Sequence, residues 1–246
     1  MSLIKRQLSR VQRSRSSGSD ETAPFNPEDG VGAGEDRKSK RVNVIEHPLA
    51  LGALAALREK KTPPDRFRSM SNLLLMLLTV DALKDLPVRD KVIAATEGSS
   101  TVKVEGKPVL FISVNRPGIG LVHNLVDNIP YLLMGSISFG RLGETGDLDP
   151  LLHFPAAPAL DKSRVILFQP VIATGNSAVV ALDLLARAGA GDVMLVTYMI
   201  SFEGLNRIHS RFGDVPVWTG MVDSDWNSNR GPMPGFGKYA ERLFGS

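Results

Sequence analysis

Residues 165–189 read VILFQPVIATGNSAVVALDLLARAG, and this stretch decides the fold. Val165 to Phe168 is an apolar run of the length and composition of a buried strand. Ala178 to Ala188 carries helix formers with an apolar face, and Gly189 is a stop signal. Between them, Ala173-Thr174-Gly175-Asn176-Ser177 puts a small residue, a hydroxyl, a glycine and two cap-type side chains at a strand-to-helix junction. Free backbone N–H groups and the positive end of the helix dipole converge at such a junction, so a phosphate can bind there. An ordinary α/β junction favours the same residue types, so these five alone leave both readings open.

Working outward, apolar runs recur at Lys107–Val114, Leu132–Phe139, Val193–Ile200 and Val215–Val222, with helical patterns at Asp65–Leu83 and Gly120–Val126. Lys91–Val104 mixes β-branched residues with turn formers, as a strand pair or arm does. Strands alternating with helices at this spacing predict an α/β fold, a mostly parallel twisted sheet flanked by helices. Ligands in such sheets bind beyond the carboxyl ends of the strands. Arg116 and the 173–177 loop each follow a strand, so both are expected at that edge.

The chain has 29 Lys and Arg against 26 Asp and Glu, a formal net charge of +3, and no cysteine. Nine of the basic and six of the acidic residues fall in 1–41, which leaves 20 of each sign in 42–246. The folded part is therefore neutral, and composition gives no support for a nucleic-acid face. Without cysteine there are no disulfides and no thiolate metal sites, which permits a cytoplasmic address. Residues 14–34 are rich in Ser, Gly, Pro, Asp and Glu and cannot bury enough to offset their ordering entropy. Residues 1–41 are expected to form a disordered extension and 42–246 a single domain. The first fifteen residues are Arg-rich, free of acids, and carry Leu3, Ile4, Leu8 and Val11 at helical spacing, so a targeting or membrane-surface helix stands beside a plain solvated extension. No apolar run reaches the length of a membrane span, and no membrane partner is expected.

Motifs carry the reading further. The loop, Gln169-Pro-Val-Ile-Ala-Thr-Gly-Asn-Ser177, resembles the phosphoribosyl-diphosphate (PRPP) loop of uracil phosphoribosyltransferases, D-P-[ML]-x-A-T-G-G-S. Further likenesses run in co-linear order: Glu46-His-Pro-Leu49, Arg66-Phe-Arg68 with Leu77-Leu-Thr79, Asn115-Arg-Pro-Gly-Ile-Gly120 against L-R-A-G-L-G, Asn128-Ile-Pro130, Arg141 with Glu144-Thr145, Pro234-Gly-Phe-Gly237 and Leu243-Phe-Gly245. The resemblance implies a type I phosphoribosyltransferase fold with a β-arm and a C-terminal base-binding segment. It also implies transfer of ribose 5-phosphate from PRPP to uracil or a related pyrimidine-like acceptor, with release of pyrophosphate. A catalytically silent relative that binds a nucleotide or a protein partner is the alternative. The family's arm implies a homodimer through residues 91–106.

In that chemistry the sugar gains positive charge as its anomeric C–O bond breaks, and pyrophosphate leaves with negative charge. The protein must hold the 5′-phosphate, neutralise pyrophosphate and orient the base. The resemblance assigns PRPP binding to Ala173, Thr174, Gly175, Asn176 and Ser177, with Arg116 and Arg141 on pyrophosphate. Arg116 suits that role because a guanidinium stays charged and donates twice to a phosphate. Base binding falls to Asp223, Met233, Pro234, Gly235, Phe236, Gly237 and Lys238, largely through backbone groups. Mg²⁺ is expected only as the counterion bound through PRPP. The histidines at 47, 123, 153 and 209 lack metal-ligand spacing, so no protein-held metal is expected. His209, with Asn206 and Arg207, reads as a solvated helix face.

Five departures from the family pattern stand out. Gln169 replaces the acid before the proline, at a position tied to catalysis by its nearness to the ribose. Asn176 replaces the second loop glycine, Gly231 a tyrosine, and Lys238 an aspartate. Gly231, Trp226 in place of a leucine, and Lys238 together predict an acceptor larger or more anionic than uracil. Trp226 itself reads either as a ligand-stacking ring or as a core residue.

Overall fold

Alternation of buried side chains on the central strands divides the molecule into two apolar layers. In the computed structural model, residues 42–129, 131–142, 147–153, 160–213, 215–223, 225–227, 231–233 and 235–245 are described. The extension at 1–41 lies outside them.

An eight-stranded sheet runs in the order β1 (Val42–Val44), β10 (Val217–Asp223), β9 (Asp192–Ser201), β7 (Arg164–Phe168), β4 (Val109–Val114), β5 (Leu132–Leu142), β6 (Asp147–His153), and β8 (Val171–Ile172) also pairs with β9. Every pairing is parallel except β5 with β6, which is antiparallel. Phe111, Ile166, Phe168, Val196 and Tyr198 face one layer, and Leu110, Ile112, Val165, Leu167 and Leu195 face the other. Because both faces are covered, the strands read as continuous apolar runs.

The first layer is closed by α1 (Pro48–Arg58), α2 (Pro64–Ala82), α3 (Asn115–Asn128) and α6 (Tyr239–Phe244). The second is closed by α4 (Asn176–Arg187) and α5 (Phe202–Phe212). His47 explains the Glu-His-Pro-Leu motif: its Nδ1 accepts from the Leu49 N–H at 3.2 Å and caps α1, with Pro48 in the first turn. Helix α3 begins at Asn115, earlier than the expected Gly120, because the chain reverses within one residue: Asn115 has φ 62°. Asparagine is among the few side chains that enter this left-handed region readily.

Strands β2 (Val88–Ala94) and β3 (Ser99–Glu105) form a separate antiparallel hairpin, the expected arm. A short pair, β11 (Asp225–Asn227) with β12 (Gly231–Met233), precedes the C-terminal segment.

Chain order fixes where a ligand can sit. From β4 the chain crosses through α3 to β5 on one side, and from β7 it crosses through α4 to β9 on the other. The direction of winding therefore reverses between the adjacent strands β4 and β7, and a crevice opens at such a switch point. The turn after β4 carries Arg116, and the turn after β7 carries residues 169–177.

Candidate active site

The loop after β7 is clamped from behind by the start of α5. Gly175 caps α4 with φ 77°, and a Cβ there would lie 2.8 Å from the Gly204 carbonyl oxygen. In the other direction, a Cβ on Gly204 would lie 2.5 Å from the Ala173 carbonyl oxygen. The Ser201 hydroxyl donates to that same Ala173 oxygen at 2.5 Å and accepts from the Gly204 N–H at 2.9 Å, so one side chain caps α5 and ties down the loop. At the next position, the Asn176 side-chain oxygen accepts from the Arg207 guanidinium. Arg207 lies on an exposed face of α5, as expected, and from there its guanidinium reaches the 173–177 loop.

Gln169 is drawn into the same loop. Its Nε2 donates to the Val171 carbonyl at 3.1 Å and lies 2.9 Å from the Ser177 hydroxyl, which is itself 3.2 Å from Gln169 Oε1. An amide offers both a donor and an acceptor here, where a carboxylate offers only acceptors.

The C-terminal segment is built on two left-handed glycines, Gly235 (φ 52°) and Gly237 (φ 66°), conformations that side chains resist. Asp223, 5 % exposed, accepts from the Gly235 N–H at 3.1 Å and pairs with Arg58 from the end of α1. Arg242 donates to the carbonyls of Leu57 at 2.6 Å, Glu59 at 2.6 Å and Phe236 at 3.0 Å, and its guanidinium lies 4.3 Å over the Phe67 ring. Partial burial lowers its pKa, yet a guanidinium stays protonated. Tyr239 donates to the Ser71 hydroxyl at 3.0 Å beside Tyr198, whose own hydroxyl donates to the Ser71 carbonyl at 2.7 Å. The Arg-Phe-Arg motif belongs to this frame: Phe67 lies under Arg242, and Arg68 donates to the Leu243 carbonyl at 3.2 Å.

Two side chains of this segment are placed differently from each other. The Phe236 side chain is 2 % exposed and packs in the core, so only its backbone faces outward chemistry. Lys238 is exposed and bound to Glu241 at 2.9 Å, a bond that raises its pKa. At 79 % and 51 % exposed, the two side chains form a weakly held surface pair.

A cavity of about 770 Å³ is lined by Asn115, Pro117, Ser138, Phe139, Ala240, Glu241 and Phe244. It joins the Arg116 turn to the C-terminal helix, while the pairing of Ser113 with Phe168 sets the 169–177 loop on the neighbouring strand. The side chains of Arg116, Arg141, Trp226 and Met233, and residues 144, 145 and 234, lie outside what the structure describes. Among the described residues no three His, Asp or Glu side chains gather into a metal cage.

Ser201, Gly204, Arg207, Arg58, Ser71 and Arg242 escaped the sequence reading because each acts through a contact distant in sequence. Glycine at the third helical position of α5, just after a serine cap, was the one local hint that another backbone comes close.

A mostly parallel sheet with a left-handed glycine turn at the head of a helix at its switch point, and a glycine-bearing C-terminal segment closing the same edge, defines a phosphoribosyltransferase-type α/β protein. A family model for uracil phosphoribosyltransferase matches residues 44–246. The chain belongs to the uracil phosphoribosyltransferase family, a family of transferases. It is 34 % identical over 208 residues to the uracil phosphoribosyltransferase of Enterococcus faecalis, covering 84 % of this chain and 99 % of that one. To the enzyme of the same name from Thermus thermophilus it is 31 % identical over 208 residues, with 84 % and 99 % covered. Among solved structures, the AQ2163 protein from Aquifex aeolicus superposes with a TM-score of 0.72 at 25 % identity, covering 82 % of this chain and 97 % of that one.

Proposed function

We propose that the protein transfers ribose 5-phosphate from PRPP to N1 of uracil, forming uridine 5′-monophosphate and pyrophosphate. The observation that carries the reading is the 173–177 loop, locked in a left-handed glycine turn at the head of α4 and at the switch point of the sheet. Its N–H groups and the Thr174 and Ser177 hydroxyls suit the 5′-phosphate. Arg116, on the adjacent turn, suits the pyrophosphate, with Arg141 as a second cation. The backbone of residues 233–238, kept in shape by Asp223, suits the edge of a pyrimidine.

As the anomeric C–O bond breaks, pyrophosphate departs with the bonding pair while the base nitrogen donates its own pair to the sugar carbon and releases its proton. These residues contribute by holding the two ends of PRPP apart and the base in line with the anomeric carbon. Mg²⁺ would be carried by PRPP itself and would offset charge on the leaving pyrophosphate, with no ligand required from this chain.

A cytosolic homodimer is part of the same proposal. Every residue of β2 is exposed, with Val88 at 62 %, Val92 at 69 % and Ile93 at 37 %. A lone hairpin is marginal in water, and an apolar arm of this kind calls for a covering partner, here a second copy.

The test is release of pyrophosphate from PRPP and Mg²⁺ with uracil against a panel of bases. Uracil-dependent release supports the reading, and no release with any base overturns it.

A further inference from the structure

In this family the phosphate loop carries two successive glycines, and this chain has Asn176 at the second. A glycine there offers no side chain to a neighbour. Asn176 is the first residue of α4, and its side-chain oxygen holds the Arg207 guanidinium. The second Arg207 nitrogen donates to Glu203 at 3.1 Å, one turn earlier on α5. Because α5 is already pinned to the loop by Ser201 and by the Gly175–Gly204 contact, the guanidinium stands at the rim of the loop by construction.

We propose that Arg207 is a further residue of the 5′-phosphate site, with Asn176 as its positioning residue. This rests on the reading of residues 173–177 as a phosphate loop. A phosphomonoester seated on those N–H groups carries nearly two negative charges, one side chain away from a cation able to donate twice. The pair with Glu203 is exposed on both sides, 41 % and 43 %, and such pairs hold weakly, so Glu203 does not prevent Arg207 from turning to the phosphate. Asn176 contributes in two ways: its oxygen fixes the guanidinium, and its amide nitrogen remains a donor.

The experiment is calorimetric titration of ribose 5-phosphate, and separately of pyrophosphate, into the wild-type protein, Arg207→Ala, Arg207→Lys and Asn176→Gly. Arg207→Ala is expected to weaken ribose 5-phosphate about tenfold, the lower end for a charge-assisted contact that is partly solvated, and to leave pyrophosphate unchanged. Arg207→Lys should recover part of the loss, and Asn176→Gly should fall between wild type and Arg207→Ala. In turnover the loss should enter KM for PRPP rather than kcat. Unchanged ribose 5-phosphate affinity in Arg207→Ala would overturn the assignment. So would equal weakening of both ligands together with a lowered melting temperature, which marks a purely structural tie between α4 and α5. If the wild-type protein fails to bind ribose 5-phosphate, the phosphate-loop reading itself falls, and Arg207 with it.

Discussion

Replacing Gly204 by alanine separates folding from phosphate binding, because two opposed effects act on stability and only one acts on the loop. Alanine is favoured over glycine within a helix by roughly 1 kcal/mol, so α5 gains. Against that, the new Cβ lies 2.5 Å from the Ala173 carbonyl oxygen and 3.0 Å from Ile172 Cγ2, whereas ordinary contact begins at 3.4 Å. The backbone at Ala173 must therefore retreat by about 0.9 Å, since a carbonyl cannot rotate aside as a flexible side chain can. Overpacking of this kind costs about 1–3 kcal/mol. The net change in stability is a loss of about 0–2 kcal/mol, which for a chain of this size lowers the melting temperature by roughly 0–8 °C. Binding has no such compensation. The displaced carbonyl precedes Thr174, so the N–H groups offered to a phosphate move with it, and each charge-assisted bond lost costs about tenfold or more in affinity. Gly204→Ala is expected to melt near the wild-type temperature while losing most affinity for ribose 5-phosphate by calorimetry. Wild-type affinity in a folded Gly204→Ala protein would refute the argument, because it would mean the loop is not braced by α5.

Gln169→Glu restores a negative charge near the developing sugar cation, and kcat for uridine monophosphate formation should rise about 10-fold or more, at some loss of stability from the bond given up to the Val171 carbonyl; a kcat that stays flat would show that Gln169 does not limit the rate. Asp223→Ala strands the Gly235 N–H and the Arg58 guanidinium, so stability should fall by about 1–3 kcal/mol in urea melts, with KM for uracil raised more than KM for PRPP; equal effects on both substrates would count against a base-side role. Burial raises the pKa of both Tyr198 and Tyr239 above the value of 10.0 usual for tyrosine. An upward shift favours the protonated folded state, so its contribution is complete below about pH 10 and is lost as pH rises further. Alkaline unfolding should be steep there and shallower in Tyr239→Phe; identical alkaline midpoints would contradict it.

The sheet was legible because its strands are covered on both faces and so stand out as apolar runs. The junction at 173–177 was legible because a turn from strand to helix favours glycine and cap-type residues, and Gly175 with φ 77° caps α4 there. Legibility failed where an element is short or leans on another. Helix α1 follows the histidine cap but was read only as a motif, and β6 lacks an apolar alternation strong enough to mark it. Arg207 and Lys238 show the same limit in side chains. From sequence each is a free cation, whereas in space Asn176 holds the first and Glu241 the second. A charge's effect depends on the partner it finds, and these partners sit 31 residues away across two helices in one case and a single turn away in the other.

The motifs near the two ends of the folded chain have a joint physical cause. Asp223, Arg242, Tyr239 and Leu243 of the C-terminal part bind Arg58, the Leu57 and Glu59 carbonyls, Ser71 and Arg68 of α1 and α2. These contacts use carbonyls left open at the end of α1, which a helix terminus must satisfy somehow, so one set of bonds both finishes α1 and fixes the Gly235–Gly237 turn. Within the turn itself only Phe236 packs into the core, since the glycines on either side supply no side chains. Its shape is also set by the helices beneath it, which explains how Lys238 can replace an oppositely charged residue while the backbone path is kept. The proposed readout of a base by backbone groups would then depend on Arg58, Ser71 and Arg242, none of which needs to touch the base.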